Sequence, residues 1–120
     1  MDCIFVGVGG ALGAVSRFLL GSFPVRPESG FPVVTFGINI LGAFLIGIIA
    51  ALSEKIPGFD PRLLLFLKVG VCGGFTTFST FSHETAQLLQ DGKTAVAVSY
   101  MVLSCLMCVA AVLTAQRLVR

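Results

Sequence analysis

The sequence predicts an all-α membrane protein with four transmembrane helices in a single domain, residues 1–120. Of its residues 56% are apolar and only 12% are charged, and the mean hydropathy is +0.99, far from the composition of soluble domains. The charged residues cluster and leave four uncharged stretches. Because roughly 20 helical residues cross the hydrocarbon core of a bilayer, each stretch with its flanks is a candidate span. The helices are expected at about 3–22, 31–51, 62–89 and 94–118.

The first span is expected to remain in the mature protein. No basic residue precedes it, as one would in a signal peptide, and the chain stays apolar beyond Arg17. Its stretch "GVGGALGAVSRF" contains Gly9 and Gly13, and small residues four apart let two helices approach closely in lipid. These glycines do not form a dinucleotide-binding loop, because Leu12 occupies the position of the third glycine.

The third span contains the stretch "GGFTTFSTF", residues 73–81. Glycine in a helix interior costs about 1 kcal/mol, so Gly73 and Gly74 predict a break in the helix near residues 73–77. A break in lipid must be buried, line water or bind an ion. The carbonyl groups of Gly73 and Thr76 would suit a small cation, and the free N–H groups of the following half-helix would suit an anion. A packing kink is the alternative.

Several rows of side chains recur at helical spacing. One is aromatic, with Phe75, Phe78 and Phe81 at every third position. Uncharged donors and the positive edges of phenyl rings favour an anion, and weak donors in series let an ion leave as easily as it enters. The rows therefore suggest a hydrated anion path, with ordinary core packing as the alternative. The polar rows are Thr76, Thr80 and Glu84; Thr35 and Asn39; and Tyr100, Ser104 and Cys108.

The basic residues are nearly balanced across the predicted membrane. Orientation follows the bias in Lys and Arg, so this chain could insert both ways round and form an antiparallel homodimer. A single orientation is the alternative. The two groups are Lys55, Arg62, Lys68, Arg117 and Arg120 on the side of the termini, and Arg17, Arg26 and Lys93 on the other.

The reactive side chains do not indicate an enzyme. The four cysteines lie in apolar stretches, where they are expected to act as small hydrophobic residues. His83 is the only histidine and forms no nucleophile and base pair in the sequence. The net charge of +2 is too small to indicate nucleic acid binding.

Three stretches make the chain resemble the Fluc (CrcB) family of fluoride ion channels: "GGALGAVSRF", "TFGINILGAFLIG" and "GVCGGFTTFSTF". Their order and spacing match over essentially the whole chain. The resemblance implies a channel that passively exports fluoride from the cytoplasm across a bacterial inner membrane and so reduces fluoride toxicity. It also implies an antiparallel, dual-topology homodimer with two pores along the subunit interface.

The resemblance implies roles for individual residues. The carbonyl groups of Gly73 and Thr76 would hold a structural sodium ion at the dimer interface, and Arg17 would lie in a vestibule. Thr35 and Cys108 extend the path by their place in the polar rows, although a thiol is a weaker donor than a hydroxyl. The resemblance implies that the fluoride pore is lined by the rings of Phe78 and Phe81 and by Asn39, Ser79, Thr80, Glu84, Tyr100 and Ser104.

Two other functions stay open at this point. A small dual-topology, proton-coupled multidrug or cation antiporter also has four helices per chain. It depends on a membrane-buried acid, and Glu84 lies toward the end of the third span. A non-conducting helper subunit would explain the packing glycines but not the aligned hydroxyls. Lys68 is an unexpected charge in the third span, where its stem is expected to snorkel.

Overall fold

The computed structural model describes residues 1–25 and 27–120, so Arg26, one of the basic residues counted above, lies outside the described part of the chain. Four helical stretches of that part are long and apolar enough to cross a membrane, as predicted: Asp2–Gly21, Val33–Lys55, Pro61–Gln90 and Thr94–Val119. The elements are α1 Asp2–Gly21, α2 Val33–Lys55, α3 Pro61–Leu64, a π-helical segment Leu65–Cys72, α4 Gly73–Phe75, α5 Phe78–Gln90 and α6 Thr94–Val119.

The outer surface of the bundle is apolar. Phe18 is 71% exposed on α1 and Leu106 is 63% exposed on α6, and many other large apolar side chains are similarly exposed. Lipid tails are as apolar as leucine, so such a surface carries no penalty in a bilayer. The helices must then be held together by close packing and hydrogen bonds rather than by the hydrophobic effect.

The third span changes backbone conformation along its length. It begins at Asp60, whose carboxylate accepts a hydrogen bond from the Arg62 N–H at 2.9 Å, as is usual at a helix N-terminus. It continues through the π-helical segment and α4. Thr76 (φ −95°, ψ 150°) and Thr77 (φ −146°, ψ 123°) are then extended, and α5 starts at Phe78. We call these two threonines the extended step.

The glycine pair before the extended step does not open the helix. The predicted break near residues 73–77 contains the extended step, but Gly73, expected to cause it, has helical dihedral angles (φ −63°, ψ −39°), and both glycines belong to α4. Gly74 instead allows close packing, because a Cβ there would overlap the carbonyl of Gly10 and lie 3.0 Å from its Cα atom. Its missing side chain therefore contributes to packing, not to backbone opening.

The glycines of α1 pack directly on the backbone of the third span, as predicted from their spacing. A Cβ on Gly9 would overlap the Phe66 carbonyl, and one on Gly70 would lie 2.9 Å from the Cα atom of Gly9. Gly13 meets Val71 in the same way. Small residues at such contacts let two helices share van der Waals contact along their backbones. The contact fixes the first half of the third span against α1.

Helix α2 packs mainly on α6. A Cβ on Gly47 would lie 2.8 Å from the Val112 carbonyl oxygen and 2.9 Å from the Ala115 Cβ. Toward the other end of the bundle, Tyr100 and Ala97 of α6 are fully buried and form a small core with Leu88 of α5. The polar side chains described next lie around this core.

Candidate functional site

Glu84 of α5 joins three helices through its carboxylate. Its Oε2 atom accepts a hydrogen bond from the Thr35 hydroxyl of α2 at 2.9 Å, and its Oε1 atom accepts one from the Tyr100 hydroxyl of α6 at 2.9 Å. Tyr100 is fully buried, so the Glu84 carboxylate supplies its hydroxyl with a hydrogen-bond acceptor inside the bundle. All three predicted polar rows therefore meet at one carboxylate.

Three cavities run along these polar residues. The loop-end cavity, of about 420 Å³, lies beside the loops and is lined in part by Thr35, Glu84 and Lys93. The arginine cavity, of about 310 Å³, shares Thr35 and Glu84 with it and adds Arg17, Thr77 and Thr80. The phenylalanine cavity, of about 330 Å³, shares Thr77 with the arginine cavity. Its other lining residues include Asn39, Thr76, Phe78, Phe81, Ser104 and Cys108.

The phenylalanine cavity combines rings with unpartnered polar groups. The ring centroids of Phe78 and Phe81 lie 5.5 Å apart, and Phe81 lies 4.9 Å from the ring of Tyr100. The Oδ1 atom of Asn39 and the Oγ atom of Ser104 are buried and have no hydrogen-bond partner among the described residues. Buried polar groups normally have partners, so the Ser104 hydroxyl can donate to a ligand that enters the cavity, and the Asn39 oxygen can accept from one.

Arg17 reaches from α1 to the backbone at the extended step. Its Nε–H donates a hydrogen bond to the Gly74 carbonyl at 3.2 Å, in a partly buried position. The same side chain lines the arginine cavity. The guanidinium thus satisfies a carbonyl at the end of α4, and it also places a positive charge beside the threonines of the path.

The backbone carbonyl groups of Gly73, just before the extended step, and of Thr76, within it, are suited to a small hard cation. Among the turn, loop and cap hydrogen bonds of the described residues, none ends on the carbonyl of Gly73 or Thr76. The Cys72 carbonyl, by contrast, accepts from both the N–H of Thr76 at 3.1 Å and its hydroxyl at 3.0 Å. Backbone carbonyl oxygens are ligands of hard cations, so Gly73 and Thr76 fit the chemistry of a sodium site.

Some predicted residues lie apart from the cavities. Ser79 is exposed and does not line any of the three, and its hydroxyl lies 2.9 Å from that of Thr77. Phe78 lines the phenylalanine cavity but is also 79% exposed. Tyr100, which is fully buried, also lines none of the three cavities. Within one chain the structure thus brings most of the predicted path residues to the cavities, with Ser79 and Phe78 at their edge and Tyr100 behind Glu84.

The sequence patterns did not assign Thr77 and Lys93 to the path, although both line cavities. Thr77 joins two of them and caps α5, where its hydroxyl accepts a hydrogen bond from the Thr80 N–H at 3.4 Å. A threonine directly before a helical run is a known N-cap signal, and it could have identified this residue. Lys93, in the loop-end cavity, carried no signal beyond its charge.

The fold and these cavities define a class of protein: a helical, multi-pass membrane protein with a row of polar cavities. The family model described as "CrcB-like protein, Camphor Resistance (CrcB)" matches residues 4–116, and the chain belongs to this family, as the three sequence stretches predicted.

Two relatives illustrate the similarity. The protein from Ruminiclostridium cellulolyticum is 42% identical over all of this chain and 93% of its own length. The protein from Shewanella halifaxensis is 41% identical over 98% of this chain and 95% of its own length. Both are named "Fluoride-specific ion channel FluC". Their names are those of ion channels and not of enzymes.

Proposed function

We propose that this protein is a fluoride-selective channel that lets fluoride leave the cytoplasm passively and so reduces fluoride toxicity. The observation that carries the proposal is the row of three neighbouring cavities that share lining residues and include the uncharged polar side chains Thr35, Asn39, Thr77, Thr80 and Ser104 beside the rings of Phe78 and Phe81. The names of the relatives supply the ion. A bacterial inner membrane is the proposed location.

Uncharged donors explain how such a path could conduct a small anion. Moving a carboxylate-sized ion out of water costs about 20 kcal/mol by the idealised Born estimate, and a smaller ion costs more. The amide N–H groups of Asn39, the hydroxyl of Ser104, which has no partner among the described residues, and the positive ring edges of Phe81 would each replace part of the lost hydration. Because none of these groups carries a charge, the ion is not held too tightly to leave.

In this proposal Glu84 joins three helices through its hydrogen bonds and does not carry protons. Both of its oxygens accept hydrogen bonds, from Thr35 and Tyr100, so its charge is partly compensated. A proton-coupled antiporter would need a buried acid that exchanges protons, and the relatives' names describe channels. A channel is therefore the function we propose, with Thr35 and Thr80 as part of its polar lining and Tyr100 as the buried partner of Glu84.

The proposed assembly is an antiparallel, dual-topology homodimer with two pores. The nearly balanced basic residues favour insertion both ways round. Phe78, 79% exposed at the edge of the phenylalanine cavity, would complete a pore between two chains. In this assembly the third span is broken at Thr76 and Thr77, and carbonyl groups of Gly73 and Thr76 from both chains would hold a structural sodium ion.

The test is a fluoride release assay with purified protein in liposomes loaded with potassium fluoride. Addition of valinomycin allows potassium to balance the charge, and a fluoride electrode records the release. We expect rapid fluoride release and almost no chloride release from matched chloride-loaded vesicles. Equal chloride release would contradict the selectivity, and release that requires a proton gradient would indicate an antiporter. Protein-free vesicles give the background.

A further inference from the structure

The loop-end cavity contains charged side chains that the proposed conduction path does not use. Among the described residues that line it, Glu84, Asp91 and Lys93 are charged. The cavity is the largest of the three, and it meets the arginine cavity at Thr35 and Glu84. An ion that enters from the loops would therefore pass Lys93 before it reaches the polar lining deeper in the bundle.

The turn between α5 and α6 fixes the position of Lys93. Gly92 has φ +77°, a left-handed conformation that glycine adopts without strain. The N–H of Lys93 then donates to the Leu88 carbonyl at 2.9 Å, and its own carbonyl accepts from Ala97 at 3.0 Å. Lys93 is thereby tied to the end of α5 and to the start of α6, in the manner of a glycine-based helix C-cap.

The ammonium group of Lys93 lies against the other loop of this cavity. A Cβ built on Gly30 would lie 2.8 Å from Nζ of Lys93, so the charged end of the side chain contacts the loop between α1 and α2. Gly30 and Lys93 both line the loop-end cavity. The backbone of one loop and the side chain of the other thus hold the positive charge at the cavity wall.

Lys93 differs from Arg17, Lys55 and Arg62 because its ammonium group has no hydrogen-bond acceptor or carboxylate partner among the described residues. Arg17 donates to the Gly74 carbonyl, Lys55 donates to the Val119 carbonyl at 2.6 Å, and Arg62 lies 4.0 Å from Asp2. Within residues 1–25 and 27–120, Lys93 has no carboxylate within 4.0 Å and no side-chain hydrogen bond. Its charge is available to an anion in the cavity.

The charge balance of the cavity shows why this cation matters. Without Lys93, its charged described lining would consist of two carboxylates, Glu84 and Asp91. Two negative charges at the entrance would lower the local concentration of any anion. Glu84 is partly compensated by two hydroxyl donors, whereas Asp91 is exposed at the end of α5. The ammonium group of Lys93 offsets this negative potential at the entrance.

We propose that Lys93 forms an anion-recruiting site in the loop-end cavity, which collects small inorganic anions from the water and passes them to the polar lining. This inference rests on the proposed function, since the recruited anion is fluoride. It assigns the recruiting charge to Lys93, while Arg17, hydrogen-bonded to Gly74, acts deeper in the bundle. A recruiting charge acts through long-range attraction, so its effect must be screened by salt.

The test compares initial fluoride release by wild-type protein and by Lys93→Gln in liposomes, at low fluoride and at two ionic strengths set with potassium gluconate. At low ionic strength we expect release by Lys93→Gln to fall about tenfold, the lower end of the range for electrostatic steering. At high ionic strength the two rates should converge. Lys93→Arg should retain the wild-type rate, and Asp91→Asn should exceed it at low ionic strength. Lys55→Gln, at the far end of α2, is the matched charge control.

The outcomes of this test distinguish the recruiting site from the channel proposal. Equal rates for wild type and Lys93→Gln at low ionic strength would overturn the recruiting site and leave the channel proposal intact. A loss in Lys93→Gln that persists at high ionic strength would also overturn it, because that pattern indicates a structural role. Failure of the wild-type protein to release fluoride would overturn the channel proposal, on which the recruiting site rests.

Discussion

The two halves of the third span pack by different means. Before the extended step, the backbone touches α1 directly through pairs such as Gly9 with Gly70 and Gly74 with Gly10. After it, α5 contacts its neighbours through side chains, as in the hydrogen bonds from Tyr100 and Thr35 to Glu84. Direct backbone contact leaves no room for an ion, whereas side-chain contact leaves cavities between helices. The first half therefore forms a scaffold, and the proposed path runs along the second half.

This difference predicts that the two halves respond differently to mutation. A substitution in the scaffold should reduce folding and assembly, and conduction should change only as a consequence. A substitution along the path should change conduction in a protein that still folds.

The largest effect is expected for Gly9→Ala in the scaffold. The added methyl would overlap the Phe66 carbonyl and lie 3.0 Å from the Cα atom of Gly70. Backbone atoms cannot move aside as a flexible side chain can, so we expect a loss of about 3 kcal/mol or more. The measurement is the thermal unfolding temperature and the fraction of monodisperse protein in detergent. Gly7→Ala is the matched control, since nothing lies within 4 Å of a Cβ there. A Gly9→Ala protein as stable as the control would refute the scaffold.

The next effect is expected for Asn39→Asp in the phenylalanine cavity. A carboxylate there would repel an anion at 4 Å by about 4 kcal/mol at an effective dielectric constant of 20, which corresponds to about a thousandfold in rate. Fluoride release should fall to the protein-free background, while thermal stability stays near that of the wild type. Asn39→Ser, which keeps an uncharged donor, should retain measurable release. Normal release by Asn39→Asp would remove this residue from the path.

A smaller effect is expected for Phe81→Ile. The substitution removes a ring that lies 4.9 Å from Tyr100 and 5.5 Å from Phe78. Aromatic contacts of this kind contribute about 0.5–1.5 kcal/mol, so fluoride release should slow by up to about tenfold while the protein remains assembled. Leu89→Ile, at an exposed position of the same helix, controls for β-branching in α5. Unchanged release would place the conducting route elsewhere.

Sequence periodicity could predict most of the scaffold and many path residues. Helix length and apolar content predict four spans, and glycine spacing in α1 predicts close packing. It could not predict features that depend on contacts between residues distant in the sequence. Gly73 and Gly74 are helical because packing of Gly74 on Gly10 matters more than their low helix propensity. The contact of Lys93 with Gly30 joins two loops that are far apart in sequence, and no local pattern encodes it.

The smallest effect is expected for Ser79→Ala. This variant tests whether neighbouring residues of α5 differ according to whether they line a cavity. Ser79 and Thr80 are neighbours in α5, but Thr80 lines the arginine cavity, whereas Ser79 is exposed outside all three cavities. We expect Ser79→Ala to change fluoride release by less than about twofold and stability by about 0.5 kcal/mol or less, as for most surface substitutions. Thr80→Val, which keeps the shape and removes the hydroxyl, should slow release more.

A larger effect of Ser79→Ala than of Thr80→Val would show which side of α5 faces the ion. If Ser79→Ala slows fluoride release more than Thr80→Val, the conducting surface is the exposed side of α5, where Phe78 also lies. That side can enclose an ion only if a second copy of the chain covers it, because a bare hydroxyl facing lipid would offer the ion no hydration. Comparison of these two variants therefore distinguishes the proposed pore, whose polar lining lies within each chain and which the partner chain completes near Phe78, from a pore lined by the exposed hydroxyls of α5.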